Sequence, residues 1–394
     1  MNTRYEVIIV GAGPAGLVAG LECARAGVAV LLLEKDEEIG RPLNCAEGVP
    51  RQSFENILTP RPAWIKSEIG RGRLVAPNGH YFDLNYSRAG YILDRPRMEQ
   101  DLANEFKALG GELARRCRAE ELHLKNKRFQ SLSIIDAAGE RRTIVADIFL
   151  AADGVEGTIA RKAGLDNRLD LNETESLLQY RLKNVEIDPN LIEIYLGSEI
   201  APRSYAWVFP HGETEANVGL GVPSDANSGR DAAYYLDKFI ERRFGKAERG
   251  RASGGTCPRY QGRKILARLN LLVVGDAARV LDSLSGAGIV NAMLSGQIAA
   301  RAAILYAKKE IKNLKELHRY YPGRFLELKH YELSMFLKIK KLLVKLSDAE
   351  LDDMVLALDE HFIEKKLDTF NPIAIILGVI KKRPRLLKMA RHLF

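Results

Sequence analysis

Gly11-Ala12-Gly13-Pro14-Ala15-Gly16 places three glycines at a spacing that can cradle a diphosphate. Gly11 allows a tight turn, Gly13 lets the backbone approach the pyrophosphate, and Gly16 lets a helix pack closely on a strand. The N–H groups opening that helix, with its dipole, favour an anion. Glu34 lies 18 residues beyond Gly16, at the end of the next apolar run, placed to accept a hydrogen bond from a ribose 2′-OH. An acid there disfavours a 2′-phosphate, so the expected nucleotide is FAD or NAD rather than NADP. Asp153-Gly154 and Gly275-Asp276 each follow an apolar strand, about 120 residues apart. Tyr205, Trp207 and Phe209 alternate along a further strand and present three aromatic rings to one face. Core packing is the commoner use of such a row. Cys23, Cys45, Cys117 and Cys257 are scattered without CxxC spacing, which argues against zinc, an iron–sulfur cluster or a disulfide framework, and no metal site is expected.

The elements that position these residues are legible in outline. Residues 5–10 read as a buried strand, a helix follows to about Ala26, and Val28–Glu34 is a second strand, making a βαβ opening. Residues 39–62 read as an ordered loop region. A helix is expected from Pro96 to about Leu109, stopped by Gly110-Gly111. Leu122–Ile135 and Arg142–Leu150 suggest antiparallel strands, and residues 175–222 suggest several more, forming a second sheet. Leu271–Val274 is a short buried strand, and the pattern from Gly288 onward is helical. The second sheet is thus inserted into the nucleotide-binding domain. The fold class is α/β with an α+β insert.

With 394 residues, 46% of them hydrophobic and 28% charged, the chain can bury a large core. That composition excludes a disordered or collagen-like protein. The net charge of +8 is unevenly placed. Residues 1–300 hold 39 cations and 39 anions, whereas residues 301–394 hold 20 and 12. Lys381, Lys382, Arg383, Arg385, Lys388 and Arg391 follow one another with no acid between them. The apolar run before them, Ile373–Ile380, makes a helix of about 12 Å, short of the about 30 Å of a bilayer core. No transmembrane span is expected, and Val7–Val10 is too short for a signal peptide. A cytoplasmic protein touching the membrane from that side is the natural expectation.

GxGxxG, a central Asp-Gly and a late Gly-Asp, in this order, resemble the fingerprints of FAD-dependent proteins with a p-hydroxybenzoate-hydroxylase-like fold. The likeness implies FAD, with Asp276 at the ribitol and Gly286-Ala287-Gly288-Ile289 opening a helix toward the flavin. It narrows to the geranylgeranyl reductase family, in particular its archaeal digeranylgeranylglycerophospholipid reductases. Ile39-Gly40-Arg41-Pro42-Leu43-Asn44-Cys45-Ala46-Glu47-Gly48 is similar to the family's Cys-x-x-Gly segment. Tyr205-Ala206-Trp207-Val208-Phe209-Pro210, followed after eight residues by Gly219-Leu220-Gly221, matches its YxWxFP-x8-GxG pattern. Val274-Gly275-Asp276-Ala277-Ala278 through Ser295-Gly296 is the third match.

The resemblance implies FAD contacts at Ala15, Glu34, Cys45, Ala46, Gly48, Arg95, Ala119, Asp276, Gly288 and Ile289, beside Gly11, Gly13 and Gly16. It also implies isoprenoid contacts at Tyr205, Trp207 and Phe209. Two positions depart from the pattern: Ser283 stands where the family usually has Pro, and Arg279 where it usually has a small residue. The implied reaction is saturation of geranylgeranyl double bonds in isoprenoid membrane-lipid precursors. Reduced flavin supplies a hydride, and Cys45, Tyr205 or a bound water supplies a proton. The expected division is a FAD-binding domain (1–170 and 258–308, including part of the substrate sheet around 60–94), an antiparallel-sheet substrate domain (171–257) and a helical C-terminal region (309–394). Expected partners are the isoprenoid lipid, an external electron donor (reduced nicotinamide or ferredoxin-like) and an anionic membrane surface met by the basic tail, at the inner face of the cell membrane. Lys338, Lys340 or Lys341, or any of the tail cations, is an alternative partner for a substrate phosphate. No nucleic acid is expected. An aromatic monooxygenase and a membrane-docked electron-transfer or lipid-binding flavoprotein are the competing readings.

Overall fold

The computed structural model describes residues 1–169, 174–224, 230–260, 262–362 and 383. The run 373–380 and the tail cations other than Arg383 lie outside the described residues. The chain forms two compact units: Met1–Leu43 with Arg95–Leu169 and Pro258–Phe336, and Asn44–Asp94 with Asp170–Cys257 and Leu337–Phe394. The division in space therefore groups residues 60–94 with the 174–223 sheet and shares the residues from 309 onward between both units.

In the first unit, the strand Arg4–Val10 lies within a mainly parallel sheet. Val7, Ile8 and Ile9 are wholly buried, as a continuous β-branched run requires. It pairs in parallel with Val30–Leu33 on one side and with Arg141–Ala151 on the other. Glu112–Ala114 and Leu271–Val273 extend the sheet outward, also in parallel. Arg141–Ala151 makes the expected antiparallel pairing and a parallel one as well. Its first residues pair antiparallel with Arg128–Ile135, but from Val145 it runs parallel beside Arg4–Val10. The strand carries two patterns, mostly exposed over 141–143 and continuously buried over Ile148–Ala151, and each suits one partner.

The helices Pro14–Arg25, Arg95–Ala108 and Ile289–Ala307 belong to the same unit. Ile289–Ala307 is long and apolar enough to cross a bilayer, a feature missed in the sequence, but it is mostly buried in protein. A Cβ added at Gly296 would sit 2.2 Å from the Ala15 carbonyl oxygen, so this helix and Pro14–Arg25 pack backbone to backbone. The helix Leu314–Leu343 begins in this unit, where the Tyr321 hydroxyl donates to the Val273 carbonyl at 2.5 Å.

The second unit is built on one sheet. Its strands run in the order Glu248–Pro258, Thr174–Lys183, Glu215–Pro223, Ala206–Pro210, Leu191–Tyr195, Ile65–Val75, Tyr81–Leu93 and Gly48–Pro50. The helix Ala232–Phe244 is capped by Asp231, whose side chain accepts the Tyr234 N–H at 2.9 Å. It lays Tyr235, Leu236, Phe239 and Ile240 against Val208, Val218 and Leu220. The helix Asp348–Phe362 packs Val355 and Leu358 with Ala76 and Phe82. Residues 39–62, expected as loop, contain the strand Gly48–Pro50 and the helix Arg51–Glu55. Elements of three and five residues are too short to show a period.

Candidate active site

The first unit presents a nucleotide cradle. Gly11 adopts φ +102°, and a Cβ there would lie 2.3 Å from the Ala152 carbonyl oxygen. A Cβ at Gly16 would lie 1.8 Å from the Gly11 carbonyl oxygen. Both glycines are thus demanded by backbone contacts inside the protein. Gly13 differs: a Cβ there would meet nothing within 4 Å, and its φ of −77° suits any residue. The space beside Gly13 is open at the start of a helix that has Pro14 in its first turn, no side-chain cap and no acid in that turn. That is the arrangement an anionic diphosphate needs. Glu34 closes the cradle, accepting the Ala12 N–H at 2.8 Å through one oxygen and the Asp36 N–H at 3.0 Å through the other. Each oxygen keeps a lone pair for a hydroxyl. The Cys117 N–H donates to the Glu34 carbonyl at 2.8 Å, so the strand Arg118–Lys125, with half-buried Ala119, starts beside this acid.

A second helix N-terminus without a side-chain cap lies in the same unit. Gly288 caps Ile289–Ala307 without a side-chain hydrogen bond, and no acid stands in its first turn. A Cβ at Gly288 would sit 3.3 Å from Asp276 Oδ1, which places that carboxylate at the helix start. Ala15 lies against both motifs: a Cβ on Gly275 would meet Ala15 Cβ at 3.1 Å. Burial pushes the Asp276 carboxyl up, and the charges of Arg95 and Arg279 pull it back. Arg95 opens its helix and donates from Nε to Glu99 Oε1 at 2.8 Å. Gly11, Gly13, Ala15, Gly16, Glu34, Arg95, Ala119, Asp276, Gly288 and Ile289 thus all fall in the first unit, and the donors and open space present fit FAD.

Both departures from the family pattern acquire a physical role. Arg279 is wholly buried with φ +53°. Its guanidinium donates to the Val155 carbonyl at 2.7 Å, to the Asp276 carbonyl at 3.0 Å and to the Asn167 carbonyl at 2.5 Å. Burial works against its charge, and the carboxylates of Asp276 and Asp153 support it. Ser283 accepts the Tyr260 N–H at 2.9 Å. Beside it, Asp282 accepts the Leu284 N–H at 2.7 Å and so shapes the turn that leads to Gly288.

The second unit holds the other expected residues on one sheet face. Ala206 and Val208 point into the core beneath Ala232–Phe244, so Tyr205, Trp207 and Phe209 point the opposite way. Trp207 pairs with Gly219, where a Cβ would lie 2.4 Å from the indole ring. Gly219 of the GxG motif is therefore the floor that makes room for the indole. The Tyr205 and Trp207 rings meet edge to face at 6.1 Å, and the indole N–H donates to Asn217 Oδ1 at 3.0 Å. Phe209 reaches Gly48, where a Cβ would lie 3.0 Å from its ring. Cys45 and Ala46 are half-buried, and the Cys45 carbonyl accepts from Gln179 Nε2 at 3.0 Å and Asn217 Nδ2 at 3.4 Å. The Cys-Ala-Glu-Gly segment is thereby tied to the face that carries the aromatics.

On this face the role of Glu47 escaped the sequence reading, and Lys340 has a different role from the one expected. Glu47 is 1% exposed and forms an ion pair with Arg181, with His211 Nε2 at 3.6 Å. Burial, then the charges of Arg181 and Lys66, lower the His211 pKa to about 3, so the ring is neutral at physiological pH. The short Glu47–His211 distance does not reverse this, because Arg181 already answers the Glu47 charge. Lys340 is buried, 2.6 Å from Glu175 and 5.7 Å from the centre of the Tyr205 ring. It is committed to that acid rather than free for a phosphate. A cavity of about 700 Å³ in the same unit is lined by Arg71, Arg73, Glu193, Val208, Pro210 and Arg243. It opens on the Val208 side of the sheet, away from the aromatic row, and its arginines pair with Asp188, Asp83 and Glu193.

Comparison with known proteins agrees with this geometry. The family model for the geranylgeranyl reductase catalytic domain matches residues 173–253, and an FAD binding domain model matches residues 6–51. A digeranylgeranylglycerophospholipid reductase of Methanoculleus marisnigri is 34% identical, covering 98% of this chain and 97% of its own. Its counterpart in Methanocaldococcus jannaschii is 37% identical, covering 100% and 99%. The solved structure of a geranylgeranyl bacteriochlorophyll reductase-like protein from Thermoplasma acidophilum superposes with a TM-score of 0.92 at 30% identity over 99% of both chains. With full-length relatives above 30% identity and a cradle that fits FAD, the chain belongs to the geranylgeranyl reductase family of FAD-dependent oxidoreductases.

Proposed function

We propose that this protein saturates carbon–carbon double bonds in the geranylgeranyl chains of ether-lipid precursors such as digeranylgeranylglycerophospholipids. The observation that carries this reading is the sheet face that Tyr205, Trp207 and Phe209 share, with Trp207 over Gly219 and Phe209 reaching Gly48 beside Cys45. An isoprenoid offers no hydrogen bonds, so large aromatic surfaces are its means of recognition. Bound FAD, once reduced, supplies the hydride. On this reading Gly11, Gly13, Ala15 and Gly16 seat the diphosphate and Glu34 the ribose. Arg95, Ala119, Asp276, Gly288, Ile289, Cys45, Ala46 and Gly48 complete the cofactor contacts.

The chain must also give the second alkene carbon a proton, and the Cys45 thiol is the donor we assign. The S–H bond breaks as the C–H bond forms, and the thiolate left behind regains its proton from water. Tyr205, with its ring beside Lys340, orients the chain.

The decisive experiment is anaerobic. Chemically reduced enzyme mixed with a digeranylgeranylglycerophospholipid reoxidises its flavin without oxygen, and mass spectrometry shows two hydrogens gained per bond. Cys45→Ser slows this about a hundredfold, the lower range for a lost general acid. Reoxidation that requires oxygen identifies a monooxygenase, and tight lipid binding with no mass change identifies a carrier; either result overturns the proposal. The electron donor is an external reductant, a reduced nicotinamide or a ferredoxin-like protein.

A lipid substrate also gives the basic tail a use. Arg383 is paired with Glu360 at 2.7 Å, which leaves five tail cations; each near an anionic bilayer is worth about 1 kcal/mol, enough together to hold the enzyme at the inner face of the membrane. Deleting residues 381–394 should abolish co-sedimentation with anionic vesicles and leave neutral vesicles unaffected. Undiminished sedimentation with anionic vesicles rules the tail out.

A further inference from the structure

Glu47 combines three features that together need a reason. It is a non-glycine residue at φ +67°, its carboxylate is buried with Arg181 as its ion-pair partner, and its N–H donates to Cys45 Sγ at 3.3 Å. A left-handed backbone at a residue with a side chain costs about 1 kcal/mol and persists only where its surroundings enforce it. Here they do so from three directions. Arg181 holds the carboxylate, the Leu93 N–H donates to the Glu47 carbonyl at 3.0 Å, and Gln179 and Asn217 hold the Cys45 carbonyl. Gly48, the next residue, is already fixed in the sheet opposite Ile92. Glycine, the residue that adopts this conformation freely, is not what stands at position 47.

We infer that Glu47 is a positioning residue for Cys45: its pairing with Arg181 holds the left-handed turn that aims the residue-47 N–H at the Cys45 sulfur, where it stabilises the thiolate. This deepens the proposed function and rests on Cys45 as the proton donor. Proton donation leaves a negative charge on sulfur, and a fixed N–H pointing at that charge lowers the barrier to forming it. The carboxylate acts through the backbone it locks, not through its own charge.

That distinction gives the test a sign. A carboxylate acting only as a nearby negative charge opposes the thiolate, so its removal eases ionisation of Cys45. A carboxylate acting through the turn does the reverse. The measurement is the pH dependence of iodoacetamide alkylation at Cys45, followed by mass spectrometry of its peptide in full-length, FAD-loaded protein. Glu47→Ala should move the midpoint up by about one pH unit, because it loses the ion pair and disfavours the left-handed region. Glu47→Gly keeps that region open and should move it up by less, which also separates the effect from misfolding. Glu47→Gln retains an acceptor for Arg181 and should stay at the wild-type midpoint. An unchanged or lowered midpoint in Glu47→Ala overturns the inference. The readout uses no substrate. If Cys45→Ser retains full turnover, the proton-donor assignment fails while the alkylation shifts still report on Glu47.

Discussion

Gly13→Val should fold and fail to hold FAD, whereas Gly16→Val should lose both the fold and the cofactor. The two glycines lie three residues apart, and their surroundings set them apart. At Gly13 the added side chain enters open space and the extended backbone tolerates valine, so the apo protein should change stability by about 0.5 kcal/mol or less. The space filled is the space the diphosphate needs. FAD should therefore bind at least about a hundredfold more weakly, a change of about 2.7 kcal/mol. At Gly16 the added Cβ lies 1.8 Å from a carbonyl oxygen of the preceding turn, and no side chain can move aside to relieve it. The helix must leave the strand, at about 3 kcal/mol or more. Flavin-fluorescence titration of deflavinated protein, with thermal unfolding of the same samples, reads both quantities. Wild-type FAD affinity in Gly13→Val contradicts the cradle.

Arg279→Met should be the most destabilising substitution outside the cradle. The guanidinium is wholly buried and fastens Val155, Asp276 and Asn167 through their carbonyls. Methionine fills much of the volume and leaves these acceptors without their donor, each costing about 1–3 kcal/mol. A loss of about 4 kcal/mol lowers Tm by about 10 °C for a unit of this size. Arg279→Lys keeps the charge but loses the planar fork, so it should fall nearly as far. Calorimetry of the three proteins decides the matter. A lysine variant as stable as wild type shows that charge rather than the fork is what counts.

The local parts of the architecture were legible in the sequence. Three glycines between two apolar runs specify a strand, a turn and a helix within one short segment, and every constraint on them comes from neighbours a few residues away. The alternation of Tyr205, Trp207 and Phe209 likewise encodes a face, because strand geometry is local. What the sequence hid depends on partners far along the chain. Glu47 is fixed by Arg181, 134 residues later, and nothing in either stretch names the other. Lys340 looked like one more cation in a basic helix, but its neutralising acid Glu175 lies on a distant strand. Only the antiparallel half of Arg141–Ala151 was legible, because one strand serves two partners of opposite direction.

The packing of Ala15 against Gly275 and Gly296 has a consequence for the life of the protein in the cell. Gly296 lies two turns into Ile289–Ala307, so the first turn of Pro14–Arg25, which no acid serves, is held fast against the side of that helix. Before the cofactor arrives that positive end lacks a counter-charge. Afterwards the cofactor's diphosphate supplies it. Mass action then makes flavin supply a determinant of how much folded protein exists: at a hundred times the dissociation constant, bound FAD adds about 2.7 kcal/mol of stability. Nascent chains made in flavin-starved cells would be turned over rather than stored, and enzyme abundance would follow cofactor availability with no dedicated regulator.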